Sequence, residues 1–426
     1  MKKKNFLIIG SGTAALNALK EIRKTNSEDE VRLVTMEHYL PYSPTSLPYF
    51  VSERIKESEI QMVTDDYFDQ MKAELVRGKR VEHIDMKRQE VIYESHEKES
   101  YDCLLIATGS EPVLPSIPGL NNENNEKLMH LRTMDDAKQL MAKMKMTRTA
   151  IILGAGLIGM ELAECLTERG VKVNVVEILP QILPAYFDQE ASRMIQSVLE
   201  NRGVKFFTGH SVSEVTWRNK GVDVLLKSGE TLEADLLLSA TGVKPRVSFL
   251  EGSGIRINEG ILVDTEMRTN IPNVFAAGDV AEARDFLTGC SGLNPILPNA
   301  VEQGKIAGSN MVGNHVEYEG WLPMNTFNFF GHTAVSIGKS IPSDCDEVLF
   351  EKDGDKGNYR KIIYRDDRLL GATFLNTEMH AGVFQYLIKK RVDISGYEEG
   401  LINMPSNISL FLMHEAEKRE AVSLED

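Results

Sequence analysis

The apolar positions of the chain fall into one pattern that occurs twice. In Asn5–Arg23, NFLIIGSGTAALNALKEIR, Phe6–Ile9 form a short apolar run. Gly10, Gly12 and Ala14 then crowd a turn, and Ala15, Leu16, Leu19 and Ile22 recur at helical spacing. The pattern predicts a buried strand, a turn too tight for bulky side chains, and an amphipathic helix. Val31–Val34 predict a second strand that ends near Glu37. Thr149–Glu177 repeats the arrangement, with Ala150–Leu153 as strand, GAGLIG (Gly154 to Gly159) as turn and Met160–Arg169 as helix. Gly170 caps that helix, and Val171–Val176 form the next strand, closed by Glu177. A second match supports the repeat: LLIATGSEP, Leu104–Pro112, returns as LLSATGVKP, Leu237–Pro245.

Between and after these units the pattern changes. His38–Phe50, HYLPYSPTSLPYF, reads as a loop entering a short helix near Thr45. Glu74–Tyr93 predict short antiparallel strands, with alternation around Val81–Ile84 and Val91–Tyr93. Cys103–Ala107 is a strand closing in Thr108 and Gly109. Ser110–Gly119, with Pro112, Pro115 and Pro118, reads as a domain boundary, and Asn121–Lys127 as a polar loop. Val274–Ala277 predicts a buried strand, after which Gly278 frees the backbone before Asp279; Pro298–Met311 predicts a helix. From Trp321 the composition shifts to short strands (Asn325–Phe330, Glu347–Phe350, Tyr359–Tyr364, Leu369–Asn376), a helix at His380–Lys390 and an apolar stretch at Ile408–Glu417. That predicts a separate α+β domain.

The chemistry implied by the repeat is nucleotide binding. A helix N-terminus leaves amides and a partial positive charge pointing at the turn, where a pyrophosphate can sit. Gly10 allows that turn, Gly12 lets the backbone approach the phosphate, and a small residue near Ala14 or Ala15 packs the helix on the strand. Glu37 and Glu177 stand where an acid accepts hydrogen bonds from a ribose. A lone GxGxxG is weak; one that follows a strand, opens a helix and ends in an acid about 20 residues on is specific. Two nucleotide sites in one chain are therefore expected. A carboxylate at Asp279, at a strand's C-terminal edge, can hold a ligand hydroxyl, and the helix at Pro298 can aim its N-terminus at the same ligand.

Composition narrows the picture further. At 426 residues the chain exceeds what one core supports, so two or three domains are expected. The net charge of −15 argues against nucleic acid, and the lysine runs at Lys2–Lys4, Lys143–Arg148 and Lys389–Arg391 read as solvated faces. No apolar run approaches about 18 residues and the first apolar run is too brief for a secretory signal, so a cytoplasmic protein without a membrane span is expected. Cys103, Cys165, Cys290 and Cys345 stand far apart with no CxxC pair. An internal iron–sulfur cluster, a structural zinc site or a local dithiol has no support, and Cys103 and Cys165 read as core residues.

GSGTAA with Glu37, LLIATG, GAGLIG with Glu177, LLSATG and VFAAGD occur in an order that resembles the pyridine nucleotide–disulfide oxidoreductase flavoproteins over nearly the full chain. Within that group the chain looks most like the NADH oxidase, rubredoxin reductase and nitrite reductase large-subunit branch. It is also similar to FAD/NAD subunits of anaerobic complexes such as phenylglyoxylate dehydrogenase. The resemblance implies an α/β fold with two Rossmann-like dinucleotide-binding domains. An FAD domain (residues 1–119 and 243–320) is interrupted by an NAD domain (120–242), and an α+β dimerisation or interface domain (321–426) follows. It assigns Gly10, Gly12, Thr13 and Ala14 to the FAD pyrophosphate and Glu37 to the adenosine ribose. Ala107, Thr108 and Gly109 would line the FAD, Gly278 and Asp279 would hold its ribityl chain, and the helix at Pro298 and Ala300 would face the pyrimidine edge. Thr45, Val81 and Arg132 are further FAD candidates. Gly154, Gly156, Leu157, Ile158, Gly159, Glu161 and Glu177 would form the NAD(H) site, and Gly242 completes the cofactor-binding set.

Two departures from the group bear on function. Disulfide- and peroxide-reducing relatives carry a redox cysteine in the segment that aligns with YSPTSLPY, where this chain has Thr45 followed by Ser46. Peroxide-reducing relatives carry a histidine in the first glycine loop, where Thr13 stands here. The expected activity is an NADH:acceptor oxidoreductase that works through flavin without a redox cysteine and exchanges electrons with an iron–sulfur protein or a partner subunit, as a homodimer or hetero-oligomer. A self-contained NADH oxidase using O₂ and a redox-responsive NADH/FAD-binding protein are the rival readings. Glu177, with no neighbouring cation in Ile178, Leu179 and Pro180, predicts NADH over NADPH.

Overall fold

A computed structural model describes residues 3–120, 127–353 and 357–423. Most of the polar loop expected at Asn121–Lys127 lies outside the described residues, as does Lys2 of the first lysine run. The chain forms two compact units. One comprises Met1–Val113, Arg132–Gln139 and Gly242–Trp321; the other comprises Leu114–Leu131, Leu140–Thr241 and Leu322–Asp426.

The first unit is built on a five-stranded parallel sheet in the order Val274–Ala276, Cys103–Ile106, Asn5–Ile9, Glu30–Val34, Glu74–Val76. Its central strands are apolar on both faces because both are covered. On one face lie the helices Thr13–Thr25 and Leu297–Met311. They cross closely because Gly304 and Gly308 carry no side chain; a Cβ there would sit 2.3 Å from the Ala14 carbonyl oxygen and 2.4 Å from that of Ala18. The other face is covered by the antiparallel strands Val81–Asp85, Glu90–Tyr93 and Lys98–Ser100, whose Val81, Ile84, Val91 and Tyr93 enter the core. Glu74–Val76, expected to belong to this antiparallel group, is instead the parallel edge strand beside Glu30–Val34, with Arg32 paired to Glu74 across the register at 2.6 Å. The short helix expected near Thr45 is a 3₁₀ turn, Pro44–Ser46, running into the helix Leu47–Val51.

The second unit repeats the plan. Its parallel sheet has the order Lys205–Thr208, Lys172–Glu177, Thr149–Leu153, Leu236–Ser239, Leu128–Met129. The helix Leu157–Glu168 follows the central strand and begins a turn earlier than the apolar pattern indicated. The antiparallel strands Val212–Arg218, Gly221–Leu226 and Thr231–Ala234 share a core with that sheet. The same unit holds a five-stranded antiparallel sheet, ordered Met324–Phe329, His332–Gly338, Arg368–Leu375, Asn358–Arg365, Glu347–Asp353, with the helices Ala381–Lys389 and Pro405–Ser423. His332–Gly338 is a strand that the sequence pattern did not single out. It pairs in a tight hairpin through Phe330 and Gly331, both at positive φ.

Polar contacts join this sheet to the parallel one, so the two form one compact unit. Glu164, buried on the Leu157–Glu168 helix, accepts the Phe330 N–H at 2.7 Å. Asp188 caps the helix Gln189–Asn201 by accepting from the Ala191 amide at 2.9 Å. It also accepts from the Tyr359 hydroxyl at 2.8 Å and pairs with buried Lys361. Burial pushes the Asp188 carboxyl up, but Lys361 and the Ala191 amide outweigh it and hold it below the ordinary range.

Candidate functional site

In the first unit the glycine turn opens onto a solvent-connected cleft. Gly10 sits at φ +112°, and a Cβ there would lie 2.2 Å from the Ala107 carbonyl oxygen, so no other residue fits without moving the neighbouring strand. Gly12 starts the Thr13–Thr25 helix with no side-chain cap and no acid in the first turn. Its amides are thus left for a ligand, and nothing lies within 4 Å of a Cβ built on Gly12.

Glu37 stands in the cleft wall. Its Oε2 accepts the Tyr42 hydroxyl at 2.5 Å, and that hydroxyl accepts the Met134 N–H at 2.9 Å. Burial raises the Glu37 carboxyl above its usual range, opposed by Tyr42 and by the charge of Arg132. Asp279 accepts from Ser110 Oγ at 2.7 Å and from the Arg132 guanidinium at 3.4 Å.

Of the residues expected to hold the first nucleotide, Gly10, Gly12, Glu37, Val81, Ala107, Thr108, Gly109 and Arg132 line this cleft together. Asp279 joins them through Ser110 and Arg132. Ala14 and Ala300 are buried on either side of Gly278, whose amide donates to Gln303 Oε1 at 2.8 Å, and Pro298 lies in the first turn of the Leu297–Met311 helix. The Thr13 hydroxyl faces the Met62 sulfur at 3.8 Å. Thr45 is exposed, bonds Ser43 Oγ at 2.8 Å and is not part of the cleft wall; the Gly242 carbonyl accepts the Val113 N–H at 3.0 Å. Sequence reasoning missed Tyr42 and Arg246 as cleft residues. Arg246 was within reach, because it directly follows the repeated LLSATGVKP segment.

The turn in the second unit has the same geometry. Gly154 lies at φ +98°, with a would-be Cβ 2.4 Å from the Ala240 carbonyl oxygen, and Gly156 starts an uncapped helix at Leu157, next to exposed Ile158. Gly159 lies close under the turn, where a Cβ would be 2.2 Å from the Gly154 carbonyl oxygen. Buried Glu177 is held by backbone: Oε2 accepts from Ala155 N at 2.7 Å and Oε1 from Leu179 N at 2.9 Å. Burial, then the charge of Glu164, pushes the Glu161 carboxyl up to about 7.

Two uncapped helix N-termini, each beside a close-approach glycine and a buried or half-buried acid, fit two nucleotides. Residues 4–304 match the description of the pyridine nucleotide-disulphide oxidoreductase family, and residues 323–392 match the rubredoxin NAD+ reductase C-terminal domain. The chain belongs to the pyridine nucleotide-disulphide oxidoreductase family.

It is 38% identical to the NADH-dependent phenylglyoxylate dehydrogenase subunit epsilon of Aromatoleum evansii, over 96% of this chain and 97% of that one. It is 33% identical to an NADH oxidase of Methanocaldococcus jannaschii, over 73% of this chain and 71% of the relative. In fold it matches a chain of the covalent putidaredoxin reductase–putidaredoxin complex with a TM-score of 0.88, at 22% identity, covering 98% of this chain and 100% of that one. The protein is accordingly an oxidoreductase and a flavoprotein, with FAD and NAD(H) as its cofactors.

Cys103 and Cys165 are buried and Cys290 and Cys345 exposed; burial pushes the Cys103 thiol up to about 12. Among the described residues no helix is long and apolar enough to cross a membrane, and no group of His, Cys, Asp and Glu is placed to hold a metal ion.

Proposed function

We propose that the protein passes electrons between NAD(H) and a protein partner, an iron–sulfur protein or a subunit of the same complex, through FAD and without a redox cysteine. The observation that carries this reading is the near end-to-end likeness to the epsilon subunit of an NADH-dependent dehydrogenase. The position where the resemblance puts a redox cysteine holds Thr45, whose hydroxyl bonds Ser43. Bound FAD supplies hydride acceptance from NADH and onward electron transfer. In the first cleft the amides following Gly12 would meet the FAD pyrophosphate, Glu37 would accept from the adenosine ribose, and Asp279, oriented by Ser110 and Arg132, would take ribityl hydroxyls. In the second unit the amides following Gly156 would hold the NAD(H) pyrophosphate, and Glu177 would stand beside its adenosine ribose. The protein assembles as a homodimer or a hetero-oligomer.

Stopped-flow kinetics test the reading. NADH should bleach one flavin per chain, dyes and the partner isolated with the protein from its native cells should re-oxidise it quickly, and O₂ slowly. Alkylating the cysteines should leave NADH-to-dye turnover largely intact. Re-oxidation by O₂ at catalytic rates, with nothing accompanying the protein from its cells, would make it an NADH oxidase instead.

A further inference from the structure

The Glu37 end of the first cleft carries a cation that the ion pairs around it do not account for. Arg246 lies in the cleft wall with its backbone pinned: its N–H donates to the Gly109 carbonyl at 3.0 Å, and its own carbonyl accepts the Thr108 hydroxyl at 3.0 Å. The side chain is 21% exposed, yet its contacts are loose. The Glu111 carboxylate is 3.7 Å from Nε, and the Met36 sulfur is 3.7 Å from a terminal nitrogen. A guanidinium has five N–H donors in a fixed fork, and among the described residues these two loose contacts are the ones that meet it. A second guanidinium, Arg132, is close enough for its charge to act on both Arg246 and Glu37. Burial first, then the Arg132 charge, works against the Arg246 cation; the Glu111 and Glu37 carboxylates offset part of this but leave it below its ordinary range, as expected where an outside anion completes the site.

We infer that Arg246 recognises the adenosine-diphosphate part of FAD and makes the cleft select FAD over FMN and riboflavin. The inference rests on the reading of this cleft as the FAD site. The chemistry on the page fits that portion. Glu37 is an acceptor for vicinal ribose hydroxyls, the Gly12 helix end takes a phosphate, and a flat guanidinium both stacks on a purine face and donates to phosphate or ribose oxygens. FMN offers neither the purine nor the second phosphate. Lysine in its place would keep the charge and lose the plane and the fork.

The test uses the full-length protein as wild type, Arg246→Ala and Arg246→Lys. Flavin release from the diluted holoprotein is followed by fluorescence, and FAD, FMN and ADP are titrated against protein stripped of flavin. Expected are at least a tenfold weaker Kd for FAD in Arg246→Ala, an FMN Kd within twofold of wild type, at least fivefold weaker competition by ADP, and an intermediate Arg246→Lys. An FAD Kd within twofold of wild type overturns the inference. So does parallel weakening of FAD and FMN, which would mean that Arg246 only props the Thr108–Gly109 turn. If Arg246→Ala is not recovered folded, Arg246→Lys decides by the same FAD-to-FMN comparison. Wild-type protein that binds no FAD would instead remove the reading of the cleft.

Discussion

The two glycine turns are built alike up to the glycines and differently at the acid. Gly10 and Gly154 both sit at positive φ against a carbonyl of the neighbouring strand, and both helices start uncapped. Glu177, however, spends an oxygen on each of two backbone amides, whereas Glu37 accepts one tyrosine hydroxyl and feels the charges of Arg132 and Arg246. The second turn is therefore held by its own acid, and the first is held from outside by the aromatic loop and the segment at Arg132. A resident cofactor and a substrate that comes and goes place opposite demands on such turns. The first can be completed by its ligand, but the second must keep its shape between turnovers.

The sharpest way to separate the two is to spoil each turn alone. A Cβ at Gly10 or Gly154 would meet a carbonyl oxygen at 2.2 or 2.4 Å with φ in the left-handed region, a strain of about 1–3 kcal/mol before any clash. Gly10→Ala should weaken FAD retention roughly 100-fold and leave a colourless protein. Gly154→Ala should keep its flavin yet need roughly 100-fold more NADH to reduce it at the wild-type rate. Flavin content and rapid-mixing reduction read the two separately. Loss of flavin from Gly154→Ala at intact Gly10 would break the assignment of one nucleotide to each turn.

How much of this was legible beforehand depended on whether a feature is local. The strand–turn–helix units were, because apolar period and small residues lie within 25 or so consecutive positions. So was the likeness of the two halves, since the repeated LLIATG and LLSATG segments form equivalent strands, Cys103–Ile106 and Leu236–Ser239, beside the strand that leads into each glycine turn. Glu74–Val76 was misplaced since three residues carry no period that distinguishes a parallel edge strand from a hairpin arm. His332–Gly338 went unnoticed because the hairpin turn at Phe330 and Gly331 lacks the usual Asn or Asp before its glycine. The site fared similarly. Glycines and acids at fixed offsets were readable, while the Tyr42–Glu37 bond, the Arg246 side chain in the cleft and the amide clamp on Glu177 depend on tertiary placement.

The difference between the acids can itself be measured. Glu177→Gln presents an amide NH₂ to a backbone donor and leaves a buried N–H without its acceptor, a loss of about 1–3 kcal/mol in stability. Glu37→Gln keeps an oxygen that the Tyr42 hydroxyl can reach, so stability should change by less than about 1 kcal/mol, and FAD affinity by about tenfold. Denaturant unfolding of the flavin-free variants checks the first pair of numbers, and FAD titration the last. Equal destabilisation by both substitutions would erase the distinction.

The smallest effect concerns Glu161, which has no acidic counterpart in the first turn, where Asn17 occupies the matching place four residues after Thr13. Its folded carboxyl titrates at about 7, against 4.5 ordinarily, because of burial and the neighbouring Glu164; in turn it helps raise the Tyr186 hydroxyl. The sign follows from the upward shift. The protonated form is favoured in the folded state, so the stability linked to Glu161 is fully present below pH 4.5 and is lost as pH rises through 7. Glu161→Gln is neutral at every pH and escapes that loss. The melting temperature of the variant relative to wild type should therefore climb between pH 5 and 8 by about 2 °C, because the roughly 2 kcal/mol of linked stability is spread over a chain in which 1 kcal/mol moves the melting point by only about 1 °C. Asn17→Asp, placing an acid at the matching position of the first turn, controls for a general charge effect. A gap between Glu161→Gln and wild type that stays flat across the range would mean that Glu161 remains ionised in the folded protein, and that the second turn carries an uncompensated charge which the first avoids.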